Sequence, residues 1–203
     1  MIPDDVSLED SWSVVARLKD EAQRCLTELE GTAEADGAGK SFWGSMYARA
    51  VFAFIDGTVY GLLYHAYAGR NRPDVKFSEE ELSRLESYFD FDESREAVST
   101  LGKGDMLSDL KFAFVAFARA HSSDYGLPVG DRNWVLMTET AHIRKTLQDA
   151  LTGEALEVYP ESVDVLLHGM AWFAERVIDL MKSSVDALSE EAPDDADDND
   201  LVM

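Results

Sequence analysis

Two charged residues interrupt a stretch of sequence that is otherwise apolar. Arg49 and Asp56 stand seven residues apart in "FWGSMYARAVFAFIDGTVYGLLYHAY", residues 42–67. Seven residues are about two helical turns, so the two side chains lie on one face of a helix. An isolated charge is costly to bury, so each residue needs a partner from another element. The pattern predicts structural ion pairs with a neighbouring helix, and a functional role for these buried charges is the alternative.

A second group of charges lies in "AHIRKTLQDALTG", residues 141–153, which has the pattern of a helix. Arg144 and Asp149 are five positions apart there, and Lys145 follows the arginine. The alternatives are a catalytic site and an ordinary charged helix surface. Composition alone does not separate them, because forty acidic residues make many such spacings.

The sequence predicts no metal site and no cofactor. Four histidines, His65, His121, His142 and His168, fall on four different predicted helices. None belongs to an HExxH, CxxC or paired ExxH arrangement, which are the spacings that metal sites favour. A serine nucleophile elbow, a phosphate loop and a dinucleotide fingerprint are also absent from the sequence. We therefore interpret the histidines as core or surface residues.

The net charge of −22 bears on the class of partner. Such a field repels phosphate backbones, so the general surface is unsuited to DNA or RNA, although a local cleft stays open. Three interpretations of the acidity remain: a solvated surface, adaptation to a high-salt cytoplasm, and mimicry of nucleic acid toward a basic partner.

The predicted location is cytoplasmic. The single cysteine, Cys25, excludes an intramolecular disulfide and fits a reducing compartment. The first residues, "MIPDDVSLED", lack the basic and apolar regions of a signal peptide. Within residues 42–67, Arg49, Asp56 and His65 interrupt the apolar run and no basic flank follows, so we expect no membrane span.

The hydrophobic periodicity predicts about six helices. A cap at Ser7 begins the first, which a loop at residues 30–41 ends. Further helices are predicted for residues 42–67, from Ser78, and for residues 105–126, with a linker at 92–104. The fifth helix starts near Asp131 or Asn133 and runs to a cap at Gly153, with Leu136, Ile143, Leu147 and Ala150 on its buried face. The sixth follows Pro160.

These elements predict an all-α, up-and-down bundle built around the apolar helix 42–67. A chain of 203 residues can bury one substantial core and is short for two, so residues 1–190 are interpreted as a single domain. Residues 191–203 are acidic and low in complexity, and we expect them to form a disordered tail.

Four segments of this sequence resemble, in order, a group of bacterial HEPN-like proteins (higher eukaryote and prokaryote nucleotide-binding domain). The segments are "ARAVFAFIDGTVYGL", "LKFAFVAFARAHSSDYGLPV", "NWVLMTETAHIRKTLQD" and "EALEVYPESV". In the group's pattern a tryptophan precedes the arginine of an "IRNRLTHP" segment by ten residues, and "LEVSDEEI" follows. Here Trp134 precedes Arg144 by ten residues and "LEVYPESV" follows. The resemblance covers residues 42–180 and implies an all-helical bundle that forms dimers.

The resemblance also implies a catalytic site that this chain has altered. Active members cleave RNA without metal through an RxxxxH motif from each of two subunits, in which histidine moves a proton and arginine stabilises phosphate charge. Arg144 matches the arginine, but Asp149 stands at the histidine position and Lys145 at the polar position. A carboxylate there adds negative charge beside the phosphate and is a poor acid near neutral pH. His142 lies about 200° around the helix from Arg144 and cannot replace the missing histidine.

The sequence therefore favours a catalytically inactive HEPN-like protein that binds a protein partner, in a toxin–antitoxin or defence setting. A divergent RNase that uses Arg144 is the first alternative, and an acidic mimic of nucleic acid is the second. In the inactive scaffold, Arg144 and Asp149 are free to pair with Asp56 or Arg49 on the central helix, or to bridge a dimer interface.

Overall fold

A computed structural model describes residues 8–33, 36–89, 105–149 and 158–190. Over these residues the chain forms six helices and no strand: α1 (Leu8–Gly31), α2 (Gly37–Gly69), α3 (Glu79–Phe89), α4 (Met106–Ala120), α5 (Trp134–Gln148) and α6 (Pro160–Glu190). The prediction of an all-α bundle of about six helices is thereby confirmed. The predictions for Ser7, the linker 92–104, Ala150, Gly153 and the tail 191–203 fall outside the described residues.

Helix α2 is the centre of the bundle. It packs against α1, α3, α4 and α6, while α5 packs against α6 and α4. Neighbours on several sides explain why residues 42–67 are apolar almost all round, since a helix without an exposed face needs no polar stripe. No helix in the described ranges combines the length and apolar character that crossing a membrane requires.

Helix α2 is longer than the prediction of residues 42–67. It begins at Gly37, because the Asp36 carboxylate accepts a hydrogen bond from the backbone N–H of Gly39 at 2.9 Å and caps the first turn. Helix α1 also continues to Gly31. The predicted loop at residues 30–41 is therefore wrong for most of its length.

The first turn of α3 is capped as the sequence predicts. The backbone N–H of Ser78 donates to the Glu81 carboxylate at 2.9 Å, and the backbone N–H of Glu81 donates to Oγ of Ser78 at 3.2 Å. This reciprocal pair is a capping box, and it satisfies two donors that the helix itself leaves unpaired. Glu79, Glu80 and Glu81 place negative charge at the positive end of the helix dipole.

Helix α4 ends at Ala120, six residues before the predicted end at Gly126. Ser122 adopts a left-handed conformation with φ of 53°. The backbone N–H groups of Ser122 and Ser123 then donate to the carbonyls of Arg119 and Ala118 at 3.3 and 2.9 Å. These bonds form a Schellman motif, which usually has glycine at the position that Ser122 occupies here. The end of α4 at Ala120 was therefore not predictable from the residue types.

The core is a continuous set of apolar side chains from every described helix. Phe173 of α6 is fully buried and makes edge contacts with Phe54 of α2 and Phe114 of α4, at centroid distances of 5.8 and 6.1 Å. Edge-to-face contacts of this kind are favourable beyond the area they bury. Phe173 therefore joins three helices at the middle of the bundle.

Helices α5 and α6 approach closely at Gly169. A Cβ atom at this position would collide with Oγ1 of Thr140, which is fully buried on α5. Glycine thus leaves room for the Thr140 hydroxyl, which would have to move if residue 169 carried a side chain. The contact is one of those that turn the Thr140 face of α5 toward α6.

Candidate functional site

The rotation of α5 places an arginine inside the bundle. Its fully or nearly fully buried residues are Met137, Thr140 and Arg144, which recur at three- and four-residue steps. The predicted face of Leu136, Ile143 and Leu147 is only half-buried, so that prediction was offset around the helix. Arginine is an improbable choice for a buried face, and sequence patterns that count only apolar residues miss it.

Arg144 is paired with Asp56 of α2. Nη1 and Nη2 of Arg144 donate to Oδ1 and Oδ2 of Asp56, each at 2.8 Å. Two parallel bonds match the planar guanidinium to the planar carboxylate, which is the strongest geometry for such a pair. The Arg144 side chain is 9% exposed and that of Asp56 is 35% exposed, so the pair is buried from one side and reached by water from the other.

Opposing effects act on the pKa of Asp56. Burial raises the pKa of the Asp56 carboxyl above its ordinary value, because a charge is less stable away from water. The positive charge and hydrogen bonds of Arg144 act against that shift, and the negative charge of Asp109 adds to it. Arg144 is therefore the group that favours the charged form of this carboxyl.

The pair lines a groove between α2 and α5 with a volume of about 390 Å³. The backbones of α2 and α5 are not among the closely packed helix pairs, so side chains span the space between them. The groove combines apolar and polar groups, and its remaining lining residues are Ser45, Arg49, Phe52, Ala53, Leu147 and Gln148.

Arg49 lies at this groove but is exposed, so the prediction that it is buried is wrong. It stands two turns before Asp56 on the same face of α2, as the spacing predicts. On this face of α2, Arg49 borders the open part of the groove, whereas Asp56 contacts Arg144 of α5. Arg49 makes no ion pair with any residue in the described ranges.

Lys145 and Asp149, which the sequence resemblance grouped with Arg144, do not line this groove. Both are exposed, and helix α5 ends before Asp149, whose backbone N–H donates to the carbonyl of Lys145 at 2.9 Å. Asp149 forms no ion pair with Arg49 or with another described residue. His142 is exposed, consistent with its expected position away from Arg144.

Sequence reasoning missed a second buried carboxylate. Asp109 of α4 accepts hydrogen bonds from the Arg84 guanidinium at 3.2 Å and from the Tyr88 hydroxyl at 2.5 Å. Burial raises the pKa of Tyr88, and its bond to Asp109 adds to that shift. In the sequence, Asp109 is an aspartate in the first turn of an apolar helix. Acidic residues are common there because they interact favourably with the helix dipole, so its position did not indicate a buried ion pair. This cluster joins α3 to α4 and lies outside the groove.

The described part of the chain contains no group of histidine, cysteine, aspartate and glutamate side chains arranged to hold a metal ion. His65 is buried and His121 half-buried, whereas His142 and His168 are exposed. The Nε2 atoms of His65 and His121 are buried and have no hydrogen-bond partner among the described residues. Burial lowers the pKa of both rings, and the charge of His121 lowers that of His65 further.

The two lowered histidine pKa values predict that the protein loses stability in mild acid. An unfolded histidine takes up a proton near pH 6.5, whereas the folded rings resist it, so acidification below about pH 6.5 favours unfolding. The loss is at most about 1.4 kcal/mol per pH unit for each ring. Urea unfolding at several values between pH 5 and 8 measures it.

The matched controls for this prediction are His65→Phe and His142→Gln. His65→Phe removes a buried titrating ring and should make the loss less steep below pH 6.5, while His142→Gln changes an exposed ring and should leave it unaltered. Equal slopes in the wild type and both variants would refute the assignment.

Comparison of the chain with protein-family models, with curated proteins and with solved structures finds no match.

Proposed function

We propose that this chain is a non-catalytic helical-bundle protein, HEPN-like in origin, that binds a protein partner in a toxin–antitoxin or defence setting. The observation that carries the proposal is the bidentate bond between Arg144 and Asp56. An arginine that serves an RNase has to present its donors to a phosphate. Here both terminal nitrogens are engaged by a carboxylate, and the charge of the guanidinium is locally neutralised.

The remainder of the motif supports the same proposal. The carboxylate of Asp149 cannot act as the proton donor that a histidine would be near neutral pH. It also lies beyond the end of α5 and does not line the groove beside Arg144. The pair instead serves the fold, since it bridges α2 and α5 where their backbones are not closely packed. A former catalytic arginine would in this way be retained as a structural residue.

The groove also offers a surface for a partner. Phe52 and Leu147 are half-buried and present apolar area, and Arg49 places an exposed donor at the same groove. The net charge of −22 steers a basic protein toward the surface at long range, and this attraction weakens with salt. We therefore propose a basic partner that inserts an apolar side chain into the α2–α5 groove.

An RNase is the second candidate, and Arg49 is the observation that favours it. Its guanidinium is exposed at the groove and makes no ion pair with the described residues, so it is available to a phosphate. Asp56 is partly exposed and has a raised pKa, which suits a group that exchanges protons. In this candidate Arg144 holds Asp56 in position.

An RNA-cleavage assay separates the two candidates. The purified full chain and the variants Arg49→Ala and Asp149→His are incubated with labelled single-stranded RNA. We expect no cleavage by any of them, because Asp149→His leaves Arg144 bound to Asp56. Cleavage by the unmodified protein that Arg49→Ala abolishes would establish the RNase instead.

Partner binding is tested by affinity capture from the native host with variants that alter the groove. Arg49→Ala and Ala53→Arg change exposed groove residues, whereas Arg17→Ala makes the same change as Arg49→Ala on α1. A basic protein captured by the wild type and by Arg17→Ala, but lost from both groove variants, is the expected result. Equal capture by all three variants would place the partner elsewhere.

A further inference from the structure

A cavity of about 400 Å³ lies where α1 ends and where α2 and α6 begin. We call it the three-helix cavity. Its apolar lining residues are Leu26, Leu29, Val158, Tyr159, Pro160, Val163 and Leu167. It shares no lining residue with the α2–α5 groove. Its size falls within the range of roughly 300–1,000 Å³ that is typical of pockets for small molecules, which are likewise mostly apolar with a few polar groups.

A buried hydroxyl without a partner lies beside this cavity. Tyr47 of α2 is fully buried, and its hydroxyl has no hydrogen-bond partner among the described residues. Tyr47 stands two turns after Lys40 on the same face of α2, and Lys40 lines the cavity. Burial raises the pKa of Tyr47, and the negative charge of Glu30 adds to that shift, so a neutral hydroxyl lies near a lining carboxylate. Such a hydroxyl can accept a hydrogen bond from a cationic group.

The charged residues that line the cavity are two carboxylates and one amine. Glu30 of α1 and Asp164 of α6 are exposed, and Lys40 of α2 is half-buried. None of the three forms an ion pair with a described residue. The long apolar stem of Lys40 allows its ammonium to extend into water. The lining therefore has a negative net charge.

The helix ends around the cavity do not reverse this balance. The N-termini of α2 and α6 carry partial positive charge, which would favour an anion. Asp36 already accepts a hydrogen bond in the first turn of α2, and Glu161 lies in the first turn of α6. His168, one turn after Asp164, does not line the cavity. The net charge of −22 adds a general attraction for cations.

An aromatic ring lies at the same opening. Tyr159 lines the cavity although it is 58% exposed, which is unusual for a large aromatic side chain. The face of a tyrosine ring attracts a cation placed over it. Carboxylates, an exposed aromatic ring and an apolar interior are the groups that suit a cation attached to an apolar body.

We propose that the three-helix cavity binds an amphipathic monocation, a molecule that carries one ammonium group on an apolar chain or ring. The apolar part lies among Leu26, Leu29 and Leu167. The ammonium lies at the opening, between the carboxylates of Glu30 and Asp164. The proposal goes beyond the proposed function, which concerns the α2–α5 groove, and either can fail without the other.

Titration calorimetry of the full chain with octylammonium and with octanoate tests the proposal. The two probes have chains of similar length and opposite charge at about pH 8. We expect octylammonium to bind at one site with a dissociation constant on the order of 1 mM, which is the strength that a ligand of this size can reach. Octanoate should bind at least about tenfold more weakly, because Glu30 and Asp164 repel it.

Charge variants separate binding in the cavity from the general acidity of the surface. Glu30→Gln with Asp164→Asn should raise the dissociation constant of octylammonium about tenfold. Glu139→Gln with Asp186→Asn makes the same change in net charge at exposed positions outside the cavity and should alter it less than about twofold. Equal weakening by the two double variants would overturn the proposal.

Variants that fill the cavity test the position of the apolar chain. Val163→Phe adds bulk to the lining and should weaken octylammonium binding about tenfold or more. Val135→Phe makes the same change at a residue that is 54% exposed on α5 and should leave binding unaltered. Circular dichroism checks that each variant is folded. If Val163→Phe does not fold, Ser41→Leu narrows the cavity from α2 and should have the same effect on binding.

Backbone amide chemical shifts locate the bound probe. Octylammonium should shift the signals of Leu29, Lys40 and Leu167 most. Changes concentrated at Arg49 and Leu147 would place the probe in the α2–α5 groove instead. That result, the absence of saturable binding, or octanoate binding as tight as that of octylammonium would overturn the proposal.

Discussion

Asp56→Ala should lower the free energy of unfolding by about 3 kcal/mol, because it leaves the guanidinium of Arg144 buried without its partner. Removing one member of a buried pair costs more than the pair itself contributes, since the remaining charge cannot regain water. The 35% exposure of Asp56 puts the expected value at the lower end of the range for such pairs. Urea unfolding followed by tryptophan fluorescence measures the change.

The matched control for this pair removes both charges together. Arg144→Met with Asp56→Leu replaces the pair by apolar side chains of similar length and should recover most of the stability that Asp56→Ala loses. Arg49→Ala removes a charge from the same face of α2, but its exposed position should keep the effect within about 0.5 kcal/mol. A small effect of Asp56→Ala, comparable to that of Arg49→Ala, would show that the pair does not support the fold.

Phe173→Ala is expected to destabilise the protein by about 4 kcal/mol, the largest effect of any single change considered. The ring is fully buried and contacts Phe54 and Phe114, so its loss opens a cavity that three helices cannot easily close. Thermal and urea unfolding measure the loss. Phe173→Leu retains most of the apolar volume and should cost clearly less than the alanine variant.

Phe42→Ala serves as the comparison on the surface. It deletes the same side chain from a position that is 57% exposed, so we expect a change within about 0.5 kcal/mol. If Phe173→Ala and Phe42→Ala had similar effects, the packing of α6 against α2 and α4 would be looser than described.

The helices and their faces follow from local rules wherever the pattern is strong. Helices α1 and α6 form where the hydrophobic periodicity predicts them, and Ser78 and Pro160 mark the starts of α3 and α6 as their residue types predict. Local signals suffice there because one turn of helix contains both the cap and the first apolar contacts. The end of α4 differs, since Ser122 takes a conformation that its residue type disfavours.

The site was predictable only in its parts. The sequence marks Asp56 as a charge that needs a partner and names Arg144 as one alternative, but 88 residues separate them and periodicity carries no information across that distance. The rotation of α5 selects between the alternatives, and it depends on the close approach of Thr140 and Gly169. Tertiary packing therefore decided which of the predicted charges meet.

The central position of α2 has a consequence for how the protein unfolds. Four of the other five helices pack on it, so none of them can detach without exposing part of its apolar surface to water. Helix α5 is the exception, and it is connected to α2 through the Arg144–Asp56 bond. That bond therefore adds the central helix to the contacts that α5 makes with α6 and α4, and weakening it would lower the free energy at which α5 opens locally while the rest stays folded.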